Sequence, residues 1–294
     1  MSLSKLFSSP LLFSLILSFL FSASLHAESS VWSVSNGKNT IYLAGTFHLL
    51  KPSDYPLPQE FEQAYKQVNW LVFETNINDL KSQQFQQKFS QAMTLPKGQT
   101  LKGSLSASAY QALSEYCEQE NIPLQNFSAY KPQMIGLVIT MHELRKLGMT
   151  AQGADDYFSG KAQADKKMIT QLESIDQQIE FISTMGHGNE SNLILQNLED
   201  MKSLQQDMQV MSNAWRSGDR QALFNKGIKP MLDKYPGIYR SLLVERNYAW
   251  LPKIERLLKH NESKLIMVGA LHLIGEDGLL TLLKNKGYQV QHFK

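Results

Sequence analysis

Two short segments near opposite ends of the 294-residue chain share one pattern, an apolar run followed at once by Gly-x-x-His. The first run, Thr40–Gly45, leads to His48, and the second, Lys264–Gly269, leads to His272. A short continuous apolar run is typical of a buried strand in a parallel sheet. Ligands of open α/β sheets bind beyond the carboxyl ends of such strands. If the two strands are neighbours, their loops bring two imidazoles together.

Each of these strands opens a strand–loop–helix–strand unit. The first unit continues through a helix that starts at Leu57 and ends in the apolar run Trp70–Glu74. The second continues through the helix Asp277–Lys286 and ends in the strand Tyr288–Phe293. This order of elements predicts two related βαβ units. A further β-like run begins at Val31 and predicts a hairpin with the first motif strand.

Between the two units, roughly residues 79–235 have mostly helical spacing. A short strand is predicted at Met168–Leu172. The predicted helices of this region cover Leu80–Met93, Ser106–Glu120, Ser128–Leu147, Ala154–Ala164, 175–185 and 190–217. We therefore predict an α/β fold in which a central mixed sheet, built from the two βαβ units, carries a large helical insertion. The mature domain is expected to cover residues 28–294.

Residues 1–27 predict an export signal. Lys5 supplies the positive charge, Leu11–Phe21 is the apolar segment, and Ala27 stands at a cleavage position after small residues. The alternative is an uncleaved anchor, because the run Leu6–Leu25 is just long enough to span a bilayer. We expect cleavage and export, to the periplasm of a Gram-negative source. The membrane would then be a partner only through an uncleaved signal.

Charge and cysteine usage exclude some functions. The 29 Lys and Arg residues nearly balance 27 Asp and Glu without forming a basic cluster, which argues against nucleic acid as a partner. The single cysteine, Cys117, excludes an internal disulfide and any multi-cysteine metal site. His142-Glu143 begins like a zinc-peptidase motif, but Lys146 stands where the second histidine is needed.

Glu74 ends the strand after Trp70 and is the third candidate for the site, because a carboxylate after four apolar residues is functional or needs a buried partner. His48, His272 and Glu74 together form a plausible divalent-metal site with open positions for water. The same groups can also act without metal as general acids and bases. The residues alone leave both interpretations open.

Two further residues are weaker catalytic candidates. Arg246 lies in an amphipathic helix before the second motif and is suited to stabilising an oxyanion or a substrate carboxylate. Glu173 follows the strand Met168–Leu172, either as a second acid at the sheet edge or as a cap of the next helix. Asp155 is predicted to cap or order a helix start, and Asn247 to orient a loop.

The motif segments, with Leu71-Val-Phe-Glu-Thr75 and Gly153-Ala-Asp155, resemble the TraB/GumN family, which includes the TIKI metalloproteases. The resemblance runs from about Val31 to the C-terminus. It implies an α/β core with a helical insertion and, in the TIKI branch, a peptidase that uses both motif histidines and the acidic residue after the first motif. Carried over, these are His48, His272 and Glu74, with manganese or cobalt as the expected metal and zinc as a further possibility.

We therefore predict an exported metal-dependent hydrolase, a peptidase by preference, that acts on a peptide or small molecule. The alternative is a non-catalytic periplasmic binding protein for a peptide, a signal molecule or heme, since this fold hosts different chemistries. The sequence does not indicate the oligomeric state.

Overall fold

The computed structural model describes residues 29–294, so the predicted export signal lies outside the described residues. A six-stranded mixed sheet stands at the centre, with helices around it. Its strands are β1 Val31–Ser35, β2 Thr40–Thr46, β3 Trp70–Phe73, β4 Met168–Gln171, β5 Lys264–Gly269 and β6 Gln289–His292. Every strand predicted from the sequence is present within a residue or two of its expected bounds.

The helices match the predicted positions more loosely at their ends. They are α1 Gln59–Lys66, α2 Ile77–Leu80, α3 Gln83–Met93, α4 Ala107–Gln119, α5 Pro132–Lys146, α6 Ala154–Ala164, α7 Ile175–Thr184, α8 Glu190–Met201, α9 Leu204–Ser217, α10 Arg220–Leu223, α11 Lys229–Lys234, α12 Pro236–Tyr239, α13 Glu245–Lys259 and α14 Leu279–Asn285. The segments Phe224–Ile228 and Arg240–Val244 are π-helical turns that lead into α11 and α13.

Three helix boundaries differ from expectation for local reasons. α5 begins at Pro132 rather than at Ser128, because proline fits the first turn of a helix and leaves the preceding Lys131 extended. The predicted helix over 190–217 is two helices, broken at Lys202 and Ser203. Within the predicted helix Arg240–Lys259 the first turn is π-helical, a form found mostly as single turns at functional sites.

The strand order is β4-β3-β5-β2-β1-β6. β4, β3, β5 and β2 are parallel to one another, whereas β1 is antiparallel to both β2 and β6. The predicted hairpin of β1 and β2 is confirmed. The predicted α/β fold with a central mixed sheet is confirmed as well.

The two βαβ units are interleaved. β5 of the second unit lies between β2 and β3 of the first, and β2 and β1 separate β5 from β6. In the register of β2 and β5, Thr46 pairs with Gly269 and Gly45 pairs with Val268. The two Gly-x-x-His loops therefore leave adjacent strands at the same edge.

The main hydrophobic core lies on both faces of this sheet and includes fully buried aromatic residues such as Phe61, Phe158, Trp215 and Trp250. A smaller core lies apart from the sheet among α4, α5 and α8, and Cys117 is buried within it. The helical region is therefore partly a separate packing unit, although it contributes β4 to the sheet.

Within residues 29–294, no helix combines the length and the apolar composition that crossing a membrane requires.

Candidate functional site

The carboxyl ends of the four parallel strands place the predicted site residues at one edge of the sheet. His48 follows β2, His272 follows β5, Glu74 follows β3 and Glu173 follows β4. Arg246 reaches the same edge from the first turn of α13. All five candidates of the sequence analysis therefore lie in one connected cluster.

His272 is buried, and its tautomer follows from its neighbours. The amide nitrogen of Asn247 donates to the carbonyls of His272 (3.1 Å) and Asp277 (2.8 Å), so the amide oxygen of Asn247 faces the imidazole. That oxygen accepts from Nδ1 of His272 at 2.8 Å. The proton therefore sits on Nδ1. Nε2 carries the lone pair and accepts from Arg246 Nη1 at 3.0 Å.

His48 is also held at Nδ1, but by a carboxylate. Asp155 Oδ2 accepts from His48 Nδ1 at 2.8 Å, and Asp155 Oδ1 accepts from the Thr46 hydroxyl at 2.8 Å. Gly153 makes this approach possible, because a Cβ there would lie 2.3 Å from the main chain of His48. The His48 side chain is 64% exposed, whereas that of Asp155 is 7% exposed.

Glu74 is the buried anion at the centre of the site. Its Oε1 accepts from the main-chain N–H of Gly269 at 2.6 Å, and its Oε2 accepts from Arg246 Nη2 at 2.5 Å. Nε2 of His272 lies 3.8 Å from Oε1. The carboxylate thus connects the end of β3 to the second motif and to α13.

Arg246 bridges the two glutamates. Its Nε and Nη2 donate to the two carboxylate oxygens of Glu173 at 3.1 and 2.7 Å, a bidentate pair. Trp250 Nε1 also donates to Glu173 at 3.1 Å, and the guanidinium stacks on the Trp250 ring at 4.6 Å. Ser174, rather than Glu173, caps α7, so the predicted capping role of Glu173 is wrong.

Gly269 leaves open the space that these groups share. A Cβ built on it would lie 3.3 Å from Glu74 Oε1, 3.6 Å from His48 Nε2 and 3.6 Å from Cδ2 of His272. The missing side chain therefore gives both imidazoles and the carboxylate access to one point at the end of β5.

The two histidines titrate in opposite directions. Desolvation opposes protonation of His48, but the Asp155 carboxylate prevails and raises its pKa to about 9. Burial lowers the pKa of His272 to about 3 with help from the positive charge of Arg246, although the Glu74 carboxylate opposes the shift. Burial disfavours ionised Glu74, yet Arg246 lowers its pKa to about 2. At neutral pH, in the absence of bound metal, His48 is charged, His272 is neutral and Glu74 is ionised.

The donor set fits a divalent cation in chemistry and charge. Both imidazoles are anchored at Nδ1 by an oxygen acceptor, which is the usual support of a histidine that binds metal through Nε2. With neutral imidazoles, the carboxylates of Glu74, Glu173 and Asp155 outnumber the single guanidinium by two charges. For an ion to bind at His272 Nε2, the hydrogen bond that Arg246 Nη1 donates to this nitrogen has to break.

A second cluster lies on the helical region. Among residues 29–294, only Glu120, His142 and Glu143 bring three such ligand atoms within 4.8 Å of one another. The ligand atoms of His48, Glu74 and His272 are therefore more widely spaced than this. Lys146 donates to Glu120 at 2.7 Å and to Glu143 at 3.0 Å. The lysine that breaks the zinc-peptidase motif thus already balances these carboxylates.

Two cavities meet at His48 and Glu74. The first, about 310 Å³, has mainly apolar walls; they include Phe47, Met149, Met208, Met211, Leu242 and Leu271. The second, about 220 Å³, is more polar; its walls include Thr75, Lys81, Asp155, Asp156 and Gln178. The site is thus open to ligand on two sides that differ in chemistry.

Sequence reasoning missed the site roles of two residues. Asp155 was expected only to cap or order a helix start, but it holds His48. Asn247 was expected to orient a loop, and it also fixes the tautomer of His272. The spacing Gly153-Ala-Asp155 was a usable signal, because Gly153 lets Asp155 approach the first motif.

The fold and site define a class of α/β protein with paired histidine loops at the carboxyl edge of its parallel strands. The sequence model of the TraB/PrgY/gumN family matches residues 30–292, and the chain belongs to that family. No solved structure is significantly similar to the chain.

Two relatives show how distant the similarity is. The chain is 24% identical to the Escherichia coli (strain K12) protein "Uncharacterized protein YbaP" over 84% of its own length and 89% of that protein. It is 20% identical to "Metalloprotease TIKI1" of Danio rerio over 90% of its own length and 63% of that protein. The chain thus spans less than two thirds of the zebrafish protein.

Proposed function

We propose that this protein is an exported, metal-dependent hydrolase of peptides. The observation that carries the proposal is the anchoring of both motif imidazoles at Nδ1, which turns both Nε2 atoms toward the space next to Glu74. The lone pair of His272 Nε2 becomes available to an ion once Arg246 Nη1 has moved away from it. A distant relative named a metalloprotease supports the reaction class.

His48, Glu74 and His272 would hold the ion, with manganese or cobalt expected and zinc as a further possibility. Lewis acidity toward a carbonyl and a lowered pKa of water are what a divalent ion supplies in such a site. Asp155 and Asn247 keep the two imidazoles oriented. The Gly269 N–H, which donates to Glu74, keeps that carboxylate at the end of β5.

Arg246 is the candidate for stabilising the oxyanion of the tetrahedral intermediate. Its Nε and Nη2 bind carboxylates, whereas Nη1 binds only the Leu242 carbonyl and His272 Nε2. When Nη1 leaves His272 Nε2, as metal binding to that histidine requires, one of its N–H groups becomes the donor available to a developing negative charge. Glu173, held by three donors, acts as the positioning residue that fixes the guanidinium.

The test combines metal content with turnover, on residues 28–294 after exposure to manganese, cobalt or zinc. Wild type is compared with a His48→Ala/His272→Ala double variant and with the control His187→Ala, whose histidine side chain is 87% exposed outside the site. We expect near-stoichiometric metal and peptide cleavage in wild type and control, and neither in the folded double variant. Equal turnover in all three proteins contradicts the proposal.

A non-catalytic binding protein is the second candidate, favoured by the mainly apolar cavity beside the histidines. It predicts tight binding of a peptide or heme, seen by fluorescence or absorbance, without product by mass spectrometry. Export is tested separately by the N-terminal mass of the protein in the periplasmic fraction, where cleavage after Ala27 gives a chain that starts at Glu28.

A further inference from the structure

The two cavities that meet at His48 and Glu74 offer different chemistry to the two sides of one ligand. The walls of the apolar cavity are mainly apolar, with Met149, Met208 and Met211 among them. Its ionisable lining residues are those of the site itself, His48, Glu74, Arg246 and His272. Methionine side chains are flexible and polarisable, so such a wall adapts to apolar groups of different shape. This side suits one large aliphatic or aromatic side chain.

Two residues that line the polar cavity each carry a buried atom that lacks a hydrogen-bond partner. The atoms are Thr75 Oγ1 and Gln178 Oε1, and Thr75 as a whole is 2% exposed. A buried polar atom without a hydrogen-bond partner costs free energy of folding. Two such atoms on residues that line the same cavity therefore point to a ligand.

The kinds of atom indicate what that ligand offers. Gln178 Oε1 can only accept, whereas the Thr75 hydroxyl can donate or accept. A peptide unit supplies one N–H donor and one C=O acceptor close together, which matches this pair. The position next to Glu74 in the sequence places Thr75 beside the reacting centre.

We propose that the cleft takes a peptide whose large apolar side chain fills the apolar cavity while its adjacent main chain binds Thr75 and Gln178 at the polar cavity. The inference rests on the proposed hydrolase function and specifies its substrate class, peptides with a large apolar residue on one side of the scissile bond.

The substrate arm uses internally quenched peptides of Gly and Ser in which one position is Leu, Phe, Ala or Asp. Mass spectrometry of the products locates the scissile bond. We expect kcat/KM for the Leu and Phe peptides to exceed that for the Asp peptide by about 100-fold at one position beside the cut, because an apolar pocket rejects charge. Equal cleavage of all four peptides overturns the inference.

The first variant arm fills the apolar cavity. Met211→Trp is expected to lower kcat/KM for the Leu peptide at least about tenfold relative to the Ala peptide. Its control is Met168→Trp, at a methionine that is 52% exposed on β4 and lines neither cavity. Met208→Trp on the same wall serves if Met211→Trp fails to fold. An equal loss for both peptides overturns the assignment of this cavity.

The second variant arm removes the unpaired acceptor. Gln178→Leu is expected to lower kcat/KM about tenfold for every peptide alike, since the main chain is common to all, while the melting temperature stays equal or rises. Gln87→Leu, at an exposed position of α3, is the control, and Thr75→Val is the second variant. Activity of Gln178→Leu equal to that of Gln87→Leu overturns the role of Gln178.

A binding arm separates the two proposals. Fluorescence anisotropy is measured with labelled Leu and Asp peptides on wild-type protein, and the samples are checked for products. Preferential binding of the Leu peptide without any product refutes the hydrolase function but keeps the ligand class. Cleavage of both peptides without preference keeps the hydrolase function but refutes the ligand class. If the protein neither binds nor cleaves the peptides, both proposals are refuted.

Discussion

The two Gly-x-x-His loops are nearly equivalent in sequence, but their histidines have different surroundings. The side chain of His48 is 64% exposed and rests on a carboxylate, whereas that of His272 is 5% exposed and rests on an amide, with a guanidinium at its other nitrogen. The first environment favours the imidazolium and the second the neutral ring. Divergent pKa values at paired groups are a common basis for dividing roles in catalysis. The motif fixes where each imidazole lies, and residues outside the motif fix its charge.

Removing Arg246 gives the largest expected effect, because Arg246 is the cation that pairs with both buried glutamates on the His272 side. Arg246→Met leaves the buried carboxylates of Glu74 and Glu173 without their partner, and we expect a loss of about 3–5 kcal/mol in the free energy of unfolding. Urea denaturation measures it. Arg240→Met, at an exposed ion pair with Glu245, is the control and should cost less than about 1 kcal/mol. Equal losses would mean that the bridge adds no special stability.

The glycines of the two motifs give the next effect, and they separate stability from function. A Cβ on Gly45 would lie 3.0 Å from the Cα of Ala270, whereas a Cβ on Gly269 would face Glu74 Oε1. We expect Gly45→Ala to cost about 1–3 kcal/mol of unfolding free energy through overpacking. Gly269→Ala should cost less stability but reduce metal content and turnover. Gly160→Ala, with open space in the interior of α6, is the control, and it should keep metal and turnover and gain up to about 1 kcal/mol of stability. A loss of stability in both variants, with metal content and turnover unchanged, would show that both glycines serve packing alone.

The Nδ1 partners sharpen the comparison further. Asp155→Ala and Asn247→Ala each free one imidazole, and each is expected to weaken metal affinity about 10- to 100-fold, as outer partners of metal-binding histidines do. Competition with a chromogenic chelator measures the affinity. Asp156→Ala, next to Asp155 but bonded to Lys81, controls for the loss of charge. Wild-type affinity in both variants would exclude the two histidines as ligands.

The smallest effect is expected at the helical cluster. Glu120→Gln should leave metal content unchanged and alter stability by less than about 1 kcal/mol, because Lys146 and His142 are its partners at a partly exposed position. Elemental mass spectrometry decides the matter. If the bound metal disappears in Glu120→Gln and persists in the His48→Ala/His272→Ala variant, the ion binds at the cluster of Glu120, His142 and Glu143.

Local patterns were enough to predict most of the fold. Continuous apolar runs identified β2, β3 and β5, and the strand-end position of His48, His272 and Glu74 predicted their common edge. The interleaved strand order could not be predicted, because β5 pairs with β2 and β3 through contacts distant in sequence. Asp155 and Asn247 were underestimated for the same reason, since their site partners lie far along the chain. The carboxylate of Glu173 was open to two interpretations until Arg246 was placed beside it.

The insertion of β5 between β2 and β3 bears on when the site can form. The hydrogen bond that joins Glu74 to Gly269 links residues 195 positions apart, and the second imidazole lies beyond it. A nascent chain therefore cannot assemble this site until nearly all of it has left the ribosome. Contacts this distant in sequence also slow folding. Truncation before β5 would remove the strand that lies between β2 and β3, together with His272. An N-terminal fragment that ends before β5 therefore cannot form the site.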